Sequence, residues 1–301
     1  MDTNTPPNDS GSAKNDTKTA HTASTVFDDQ RVPVGNRVVV TDHYVAKDII
    51  NEPTKFKYKI FVRLNAKGVT FKRASFEHCI FDSCYLNNCV FDTCDFTGCK
   101  FIGSNFHQTA FAGCTFDYAT FERCQIDNDI LHSEAPREEN LRMRFARSLR
   151  MNYQQIGDAK AVNQAISLEL QATSIYLLKS WSSHETYYQK KFGGLKRIPQ
   201  FAIWIEFWLL DFIWGNGESI VKLLRTILLV LLAISAYDTV LNRNPMRLDD
   251  FWVSLTRAPA EFLGVYSPMQ FPSGACAAIA ATRLVTFALL TAMLVKRFGR
   301  R

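Results

Sequence analysis

From Phe71 to Leu131 a bulky apolar residue returns at every fifth position: residues 71, 76, 81, 86, 91, 96, 101, 106, 111, 116, 121, 126 and 131 are Phe, Phe, Phe, Leu, Phe, Phe, Phe, Phe, Phe, Phe, Phe, Ile and Leu. A step of five turns a helical side chain through about 140°, and on a single strand an odd step alternates faces. Neither regular element could bury these side chains together. A short fixed period instead predicts a solenoid, in which each turn supplies the core that its neighbour lacks.

Two places before each bulky residue stands a small or β-branched one: Val69, Ala74, Cys79, Cys84, Cys89, Cys94, Cys99, Ser104, Thr109, Cys114, Ala119 and Cys124. A slot that accepts Cys, Ser, Ala and Thr alike selects volume, and a free Cys behaves as a small buried hydrophobe. A metal or a disulfide would require the thiol at each ligand position. Zinc sites also prefer CxxC pairs converging on one tetrahedron, whereas the spacing here is C-x4-C. The expectation is core cysteines, with no metal and no cofactor.

This small-x-bulky pattern resembles the pentapeptide-repeat family. The resemblance implies a right-handed quadrilateral β-helix, four pentads to a coil and about three coils, with the bulky and the small residues both inward. Residues twenty apart would then stack at roughly 4.8 Å, Cys79 over Cys99 and Cys94 over Cys114. Such pairs are near enough for a disulfide on Cα distance alone, and a cytosolic compartment argues against one. Residues 31–60 alternate in places, as in RVVV (Arg37 to Val40) and KFKYKIFV (Lys55 to Val62), and read as a strand-rich cap on the open coil end. The solenoid with its cap is thus expected over residues 31–135. Residues 1–30, rich in Asn, Asp, Thr, Ser and Pro, read as a disordered tail without a signal peptide.

Past residue 135 the pattern turns helical. Leu141, Phe145 and Leu149 lie four apart, Gly157-Asp158 mark a stop and a restart, and Val162, Ile166, Leu170 and Leu177 continue, predicting a helical hairpin linker over residues 136–190. Residues 191–301 read as a membrane domain. The stretch FAIWIEFWLLDFIW (Phe201 to Trp214) carries Glu206 and Asp211 and, at about 21 Å as a helix, is too short to span. Trp204, Trp208 and Trp214, with Lys190, Lys191, Lys196 and Arg197 upstream, suit an interfacial helix over 200–214; a buried soluble helix is the alternative. Spans are expected at about 220–240, where Lys222 and Arg225 snorkel, and at about 274–295, joined by a loop over 241–273. Arg283 in the second span costs about 2.5–3.5 kcal/mol at mid-membrane on insertion scales, which directs it toward protein or water rather than lipid. Lys222 and Arg225 before the first span, and Lys296, Arg297, Arg300 and Arg301 after the second, put both chain ends on the cytoplasmic side. A soluble all-helical domain is the competing reading.

The loop DDFWVSLTRAPAEFLGVYSP (Asp249 to Pro268) predicts a helix capped by the Asp pair, running through Phe251 and Leu255 and broken at Pro259, followed by the irregular Gly264-Val265-Tyr266 and Ser267-Pro268. The order span, short helix, irregular segment, span, with the turn Trp214-Gly215-Asn216-Gly217-Glu218 before it, resembles bacterial pentapeptide-repeat proteins fused to a two-span, ion-channel-like membrane module. That resemblance implies a multi-pass protein of the cell inner membrane with a re-entrant loop lining water. Asp249, Asp250, Glu261, Gly264 and Tyr266 are then mouth or constriction candidates and Arg283 an internal charge. A potassium filter reads T-V-G-Y-G, and only Gly264 stands near the aromatic here, so potassium selectivity is not expected. A surface hairpin with an amphipathic turn is the other reading of the loop.

Charge and histidine placement narrow the function further. The net charge is +6, half of it in the last hundred residues and at their ends, which points to membrane lipid before nucleic acid. Between Phe61 and Leu131 eight acidic residues face six basic ones, a poor copy of a phosphate backbone, so no nucleic-acid partner is expected. The six histidines show no metal spacing, and no phosphate loop or nucleophile elbow is present, so no enzyme activity is expected. The whole reads as an α+β multidomain membrane protein: an oligomeric pore or ion-channel-like protein whose cytoplasmic solenoid senses or binds a protein partner. One helical pair cannot enclose water, hence a homo-oligomer. The alternative is a membrane-anchored protein-binding module without a pore.

Overall fold

The computed structural model describes residues 32–34, 37–53, 55–266 and 271–298. The expected tail over residues 1–30 lies outside them, as do Ser267 and Pro268.

The five-residue period folds into a β-solenoid. Strands Ile60–Val62, Ile80–Asp82, Lys100–Ile102 and Thr120–Glu122 stack in parallel along one side, each residue paired with the one twenty later. Thr70–Lys72, Val90–Asp92 and Ala110–Ala112 form a second side in the same register. Single parallel bridges such as Asn65 to Tyr85 and Ser75 to Asp95 link the coils on the other two. Strands stay this short because the chain turns every fifth residue. Corners such as Arg63, Ser83, Gly103 and Arg123 take left-handed φ of 53–56°, and several are not glycine, a backbone cost that the stacked coils must outweigh.

The inward side chains form ladders. Phe61, Phe81, Phe101 and Phe121 stack at 5.1, 5.1 and 4.9 Å, and Phe56, Phe76, Phe96 and Phe116 at 5.2, 5.3 and 5.1 Å. Neighbouring ladders meet edge to face, as where Phe76 meets Phe81 and Phe91 meets Phe96. The small slot also has a chemical rule. Cys79, Cys84, Cys89, Cys94, Cys99 and Cys114 each donate through Sγ, at 2.7–3.4 Å, to the carbonyl twenty-three residues earlier, on the coil below. The hydroxyls of Ser104 and Thr109 make the same bond to Phe81 and Leu86. Small size admits the residue, and a thiol or hydroxyl adds a rung.

The coil count differs from the expected three. The solenoid has about four turns, because residues 37–62 form a coil rather than only a cap. Val40 pairs with Phe61 and Val45 with Ala66, twenty-one residues apart, and Ile49 with Phe71, twenty-two apart. Phe56 occupies the fourth side beneath Phe76. Extra residues absorbed at the corners break the sequence period while strand pairing continues. The cap over the open edge is the short strand Val32–Val34, antiparallel to Arg37–Thr41.

Helices close the other end. The last register residue, Leu131, is buried but lies in the single-turn helix α1 (Ile130–Ser133) rather than a strand. Helix α2 (Glu139–Ile156) then lies where the next coil would be. Phe145 continues the aromatic ladder, 5.8 Å from Phe116 and 6.0 Å from Phe121. One face of α2 replaces the missing strand: Ser148 Oγ accepts from Phe121 N at 2.8 Å, and Gln155 Oε1 from Arg123 N at 2.9 Å. Asn152 both accepts from Cys124 N at 2.6 Å and donates to Cys124 O at 2.8 Å. Glu134 accepts from Cys114 N in the same manner at 2.5 Å.

Gly157, at φ 80°, ends α2, and Asp158 caps α3 (Ala159–Ser182) by accepting from Ala161 N at 2.9 Å. Glu169 on α3 receives Arg147 and Arg150 from α2, both at 2.8 Å, and holds the pair in register. There follow α4 (Thr186–Phe192), a 3-10 turn at Gly194–Lys196 and α5 (Arg197–Trp214). Helices α6 (Ile220–Asn242), α7 (Leu248–Leu263) and α8 (Ser273–Phe298) complete the described chain. By length and composition α6 and α8 can cross a membrane, and of the most apolar stretch of each only 17% and 11% is buried within the chain. A core helix of a soluble domain would be covered.

Candidate functional site

Helix α7 turns back along α6 after a five-residue connection, Arg243 to Arg247. Ser254 donates to Asp238 Oδ2 at 2.6 Å, and Ile234, Ala258 and Phe262 bury one apolar cluster with Val230, Leu231 and Ile279. Asp238 also accepts from Asn242 Nδ2 at 2.7 Å and lies 3.7 Å from Arg243 Nε, so both its oxygens are occupied. The end of α7 therefore sits near Leu231, eleven residues before the end of α6 (242 − 231), or roughly 17 Å along its axis. Arg283 lies ten residues into α8 (283 − 273), roughly 15 Å along it. The tip of α7 thus meets both long helices near their middles.

The break expected at Pro259 does not occur, and α7 runs on to Leu263. Proline removes one donor and crowds the preceding turn, and here the helix packs around it. Gly264 ends the helix at φ 77°, with Val265 N donating to Ala260 O at 2.9 Å. Arg283 Nη1 donates to Leu263 O at 2.9 Å, and a Cβ on Gly264 would collide with its guanidinium. A cation at the C-terminal end of a helix meets the negative pole of its dipole. The one charge within the apolar stretch of α8 before Lys296 is therefore held by backbone carbonyl.

Of the candidates named from sequence, Glu261, Gly264, Tyr266 and Arg283 share one cavity of about 160 Å³, walled also by Phe271, Cys276, Ile279 and Ala280. Glu261 is 5% exposed and its Oε2 has no hydrogen-bond partner among the described residues. Asp249 and Asp250 are not part of this group. They lie in the first turn of α7, twelve and eleven residues before Glu261, roughly 18 Å away along the helix, and Arg247 rather than the Asp pair stands at the cap. Asp250 accepts from Asn244 N at 3.4 Å. Sequence reasoning missed the buried Asp238–Ser254 pair and Cys276. Asp238 was visible as a charge in an apolar stretch, whereas its partner sixteen residues on, across a turn, left no spacing signal.

A second cavity, of about 690 Å³, opens where the solenoid's helices meet the two long apolar helices, between α3 at Asn163 and Ser167, the turn Gly215 to Ser219, and the end of α8. Lys222 pairs with Asp211 at 2.7 Å, and Lys296 pairs with Glu218 while donating to Gly217 O at 3.2 Å. Arg225 stacks 4.4 Å over Phe212 and donates to its carbonyl. Lys222, Arg225 and Lys296 are thus tied to α5 and its turn. Helix α5 begins at Arg197 and exposes Ile198, Phe201, Ile205, Trp208, Leu209 and Phe212, while Trp181 of α3 packs on Phe201 and Trp204 at 5.0 and 5.3 Å.

Among the described residues no three His, Cys, Asp or Glu side chains converge as a metal site, and the eight cysteines are free. Burial pushes the Cys79 and Cys84 thiols up to about 12. Two stacked layers, a coiled β-sheet column filled by Phe and a helical hairpin roofing it, define a β-solenoid protein with two helices long enough to cross a membrane. Residues 86–129 match the family model described as Pentapeptide repeats (9 copies). No match is found among curated proteins.

Proposed function

We propose that the chain is the subunit of an oligomeric membrane pore of channel-like architecture, with the pentapeptide-repeat solenoid as its cytoplasmic sensing or binding domain. The observation that carries this reading is the position of α7, which returns along α6 and ends with Gly264 and Arg283 at the middle of both long helices. A helix end in hydrocarbon leaves carbonyls without partners. Arg283 occupies one of them, and the polar wall formed by Glu261 and Tyr266 calls for water. In this reading α7 is a re-entrant helix, and several copies are needed to surround that water. Both chain ends lie on the cytoplasmic side of a bacterial inner membrane, with Lys222 and Lys296 at the same surface. Strain applied to the solenoid passes through α2 and α3 to α5 and the base of α6.

Flux of ions or dye from liposomes containing the purified full chain tests the proposal, together with particle symmetry in detergent. Sealed vesicles at high protein density, or a monomer, would overturn it. The second reading, a membrane-anchored binding module, draws on the solenoid's exposed Tyr44, Tyr58 and Tyr118. Under it a chain truncated before Ile220 keeps its partner and loses only its anchor.

A further inference from the structure

We propose that Glu261 is a proton-binding site: its carboxyl carries a proton while α7 is packed between α6 and α8, and releases it to water entering the cavity it lines. The inference rests on the membrane reading for the route of that water, and on the packing alone for the proton.

Glu261 is 5% exposed, and its Oε2 has no partner among the described residues. A carboxylate buried in that state would carry a charge on an oxygen without a hydrogen-bond partner, a burial cost that a bound proton removes. The groups facing it from each packed element do not supply the missing partner. On α6, Asp238 is itself a carboxylate, already satisfied by Ser254 and Asn242, with Arg243 at 3.7 Å drawn to it. A second negative charge beside it is disfavoured. On α7, Arg257 is exposed one turn earlier, and its attraction for the carboxylate, with that of Arg243, is outweighed by burial and by Asp238. On α8, Arg283 shares the cavity wall but directs Nη1 to Leu263 O at 2.9 Å. Tyr266 and Cys276 contribute a hydroxyl and a thiol, and Phe271, Ile279 and Ala280 are apolar.

The cavity's volume of about 160 Å³ exceeds what one water needs, so it can receive several. Release is simple heterolysis: the carboxyl O–H bond breaks, its electron pair stays on Glu261, and the proton leaves on a cavity water. The proton is favoured over a metal cation as the ligand because, among the described residues, no three His, Cys, Asp or Glu side chains converge to coordinate a metal there.

The test is isotope-edited infrared spectroscopy of the full chain in lipid nanodiscs, with ¹³C-labelled glutamate, titrated with pH. The expected result is a protonated carboxylic C=O band that survives to a lower proton concentration than the bands of the other glutamates, is absent in Glu261→Gln, and is unmoved when sodium is exchanged for choline at fixed pH. Absence of the band, its persistence in Glu261→Gln, or a midpoint that follows sodium would each overturn the proposal, the last in favour of a cation site. Should Glu261→Gln not insert, Glu261→Asp must shift the band. A band present in vesicles that do not leak would leave this inference standing while the pore reading fails.

Discussion

Asn152 offers the sharpest perturbation of the solenoid. Its amide accepts from Cys124 N at 2.6 Å and donates to Cys124 O at 2.8 Å, and the residue is fully buried on α2. Asn152→Ala strands one backbone donor and one acceptor where the next coil's strand would otherwise pair them. Each buried group left without a partner costs about 1–3 kcal/mol, so the two cost about 2–6 kcal/mol. Alanine's better helix propensity returns about 0.6 kcal/mol. Since 1.4 kcal/mol is tenfold in an equilibrium, the remaining loss should speed local opening by roughly one to four orders of magnitude. Hydrogen exchange on the full chain, read in peptides covering residues 110–130, measures this directly. Gln155→Ala is the control, because its bond to Arg123 N at 2.9 Å is exposed and water can replace it. Equal exchange in the two variants, or a change under about threefold in Asn152→Ala, would refute the idea that α2 acts as a substitute strand. Asn152→Asp should fall between, keeping the acceptor for Cys124 N while setting a carboxylate against Cys124 O.

Further expectations address the rest of the molecule. Phe96, fully buried between Phe76 and Phe116, should cost about 3–5 kcal/mol on truncation to Ala, read as a fall in the urea midpoint of the solenoid's far-UV signal; a loss below 1 kcal/mol would mean that the ladder is not a close-packed core. At pH 8 the Cys79 and Cys84 thiols, pushed up to about 12 by burial, are about 10⁻⁴ ionised, so mass spectrometry after mild alkylation should find them unmodified until denaturant is added. Gly264→Ala must adopt a left-handed φ and displace the Arg283 guanidinium, and should weaken hairpin packing, seen as faster exchange or proteolysis around residues 260–266; unchanged behaviour would show that Arg283 does not need its seat. Lys222→Ala, which breaks a half-exposed pair with Asp211, should shift stability by no more than about 1 kcal/mol, and a larger loss by thermal denaturation would assign the junction a greater structural role.

The five-residue beat from Phe71 to Leu131 announces the solenoid directly, because one bulky and one small inward position per side are the geometric demand of a coil with four short sides. The stop and restart at Gly157-Asp158 and the two long apolar stretches were equally readable, since left-handed caps and bilayer-length helices depend on neighbours along the chain. The first coil was not readable: Val40, Val45, Ile49 and Phe56 keep their inward places through spacings of twenty-one and twenty-two, and only strand pairing across coils shows it. Nor could composition separate Asp249 and Asp250 from Glu261, Gly264, Tyr266 and Arg283. That division follows from α7 remaining helical past Pro259 and folding back on α6, so that one end of it stays beside the connection and the other meets the middle of α8. Local patterns specify elements because their physics acts between near neighbours, whereas the orphaned oxygen of Glu261 and the satisfied carboxylate of Asp238 differ only in which distant side chains the fold brings to each.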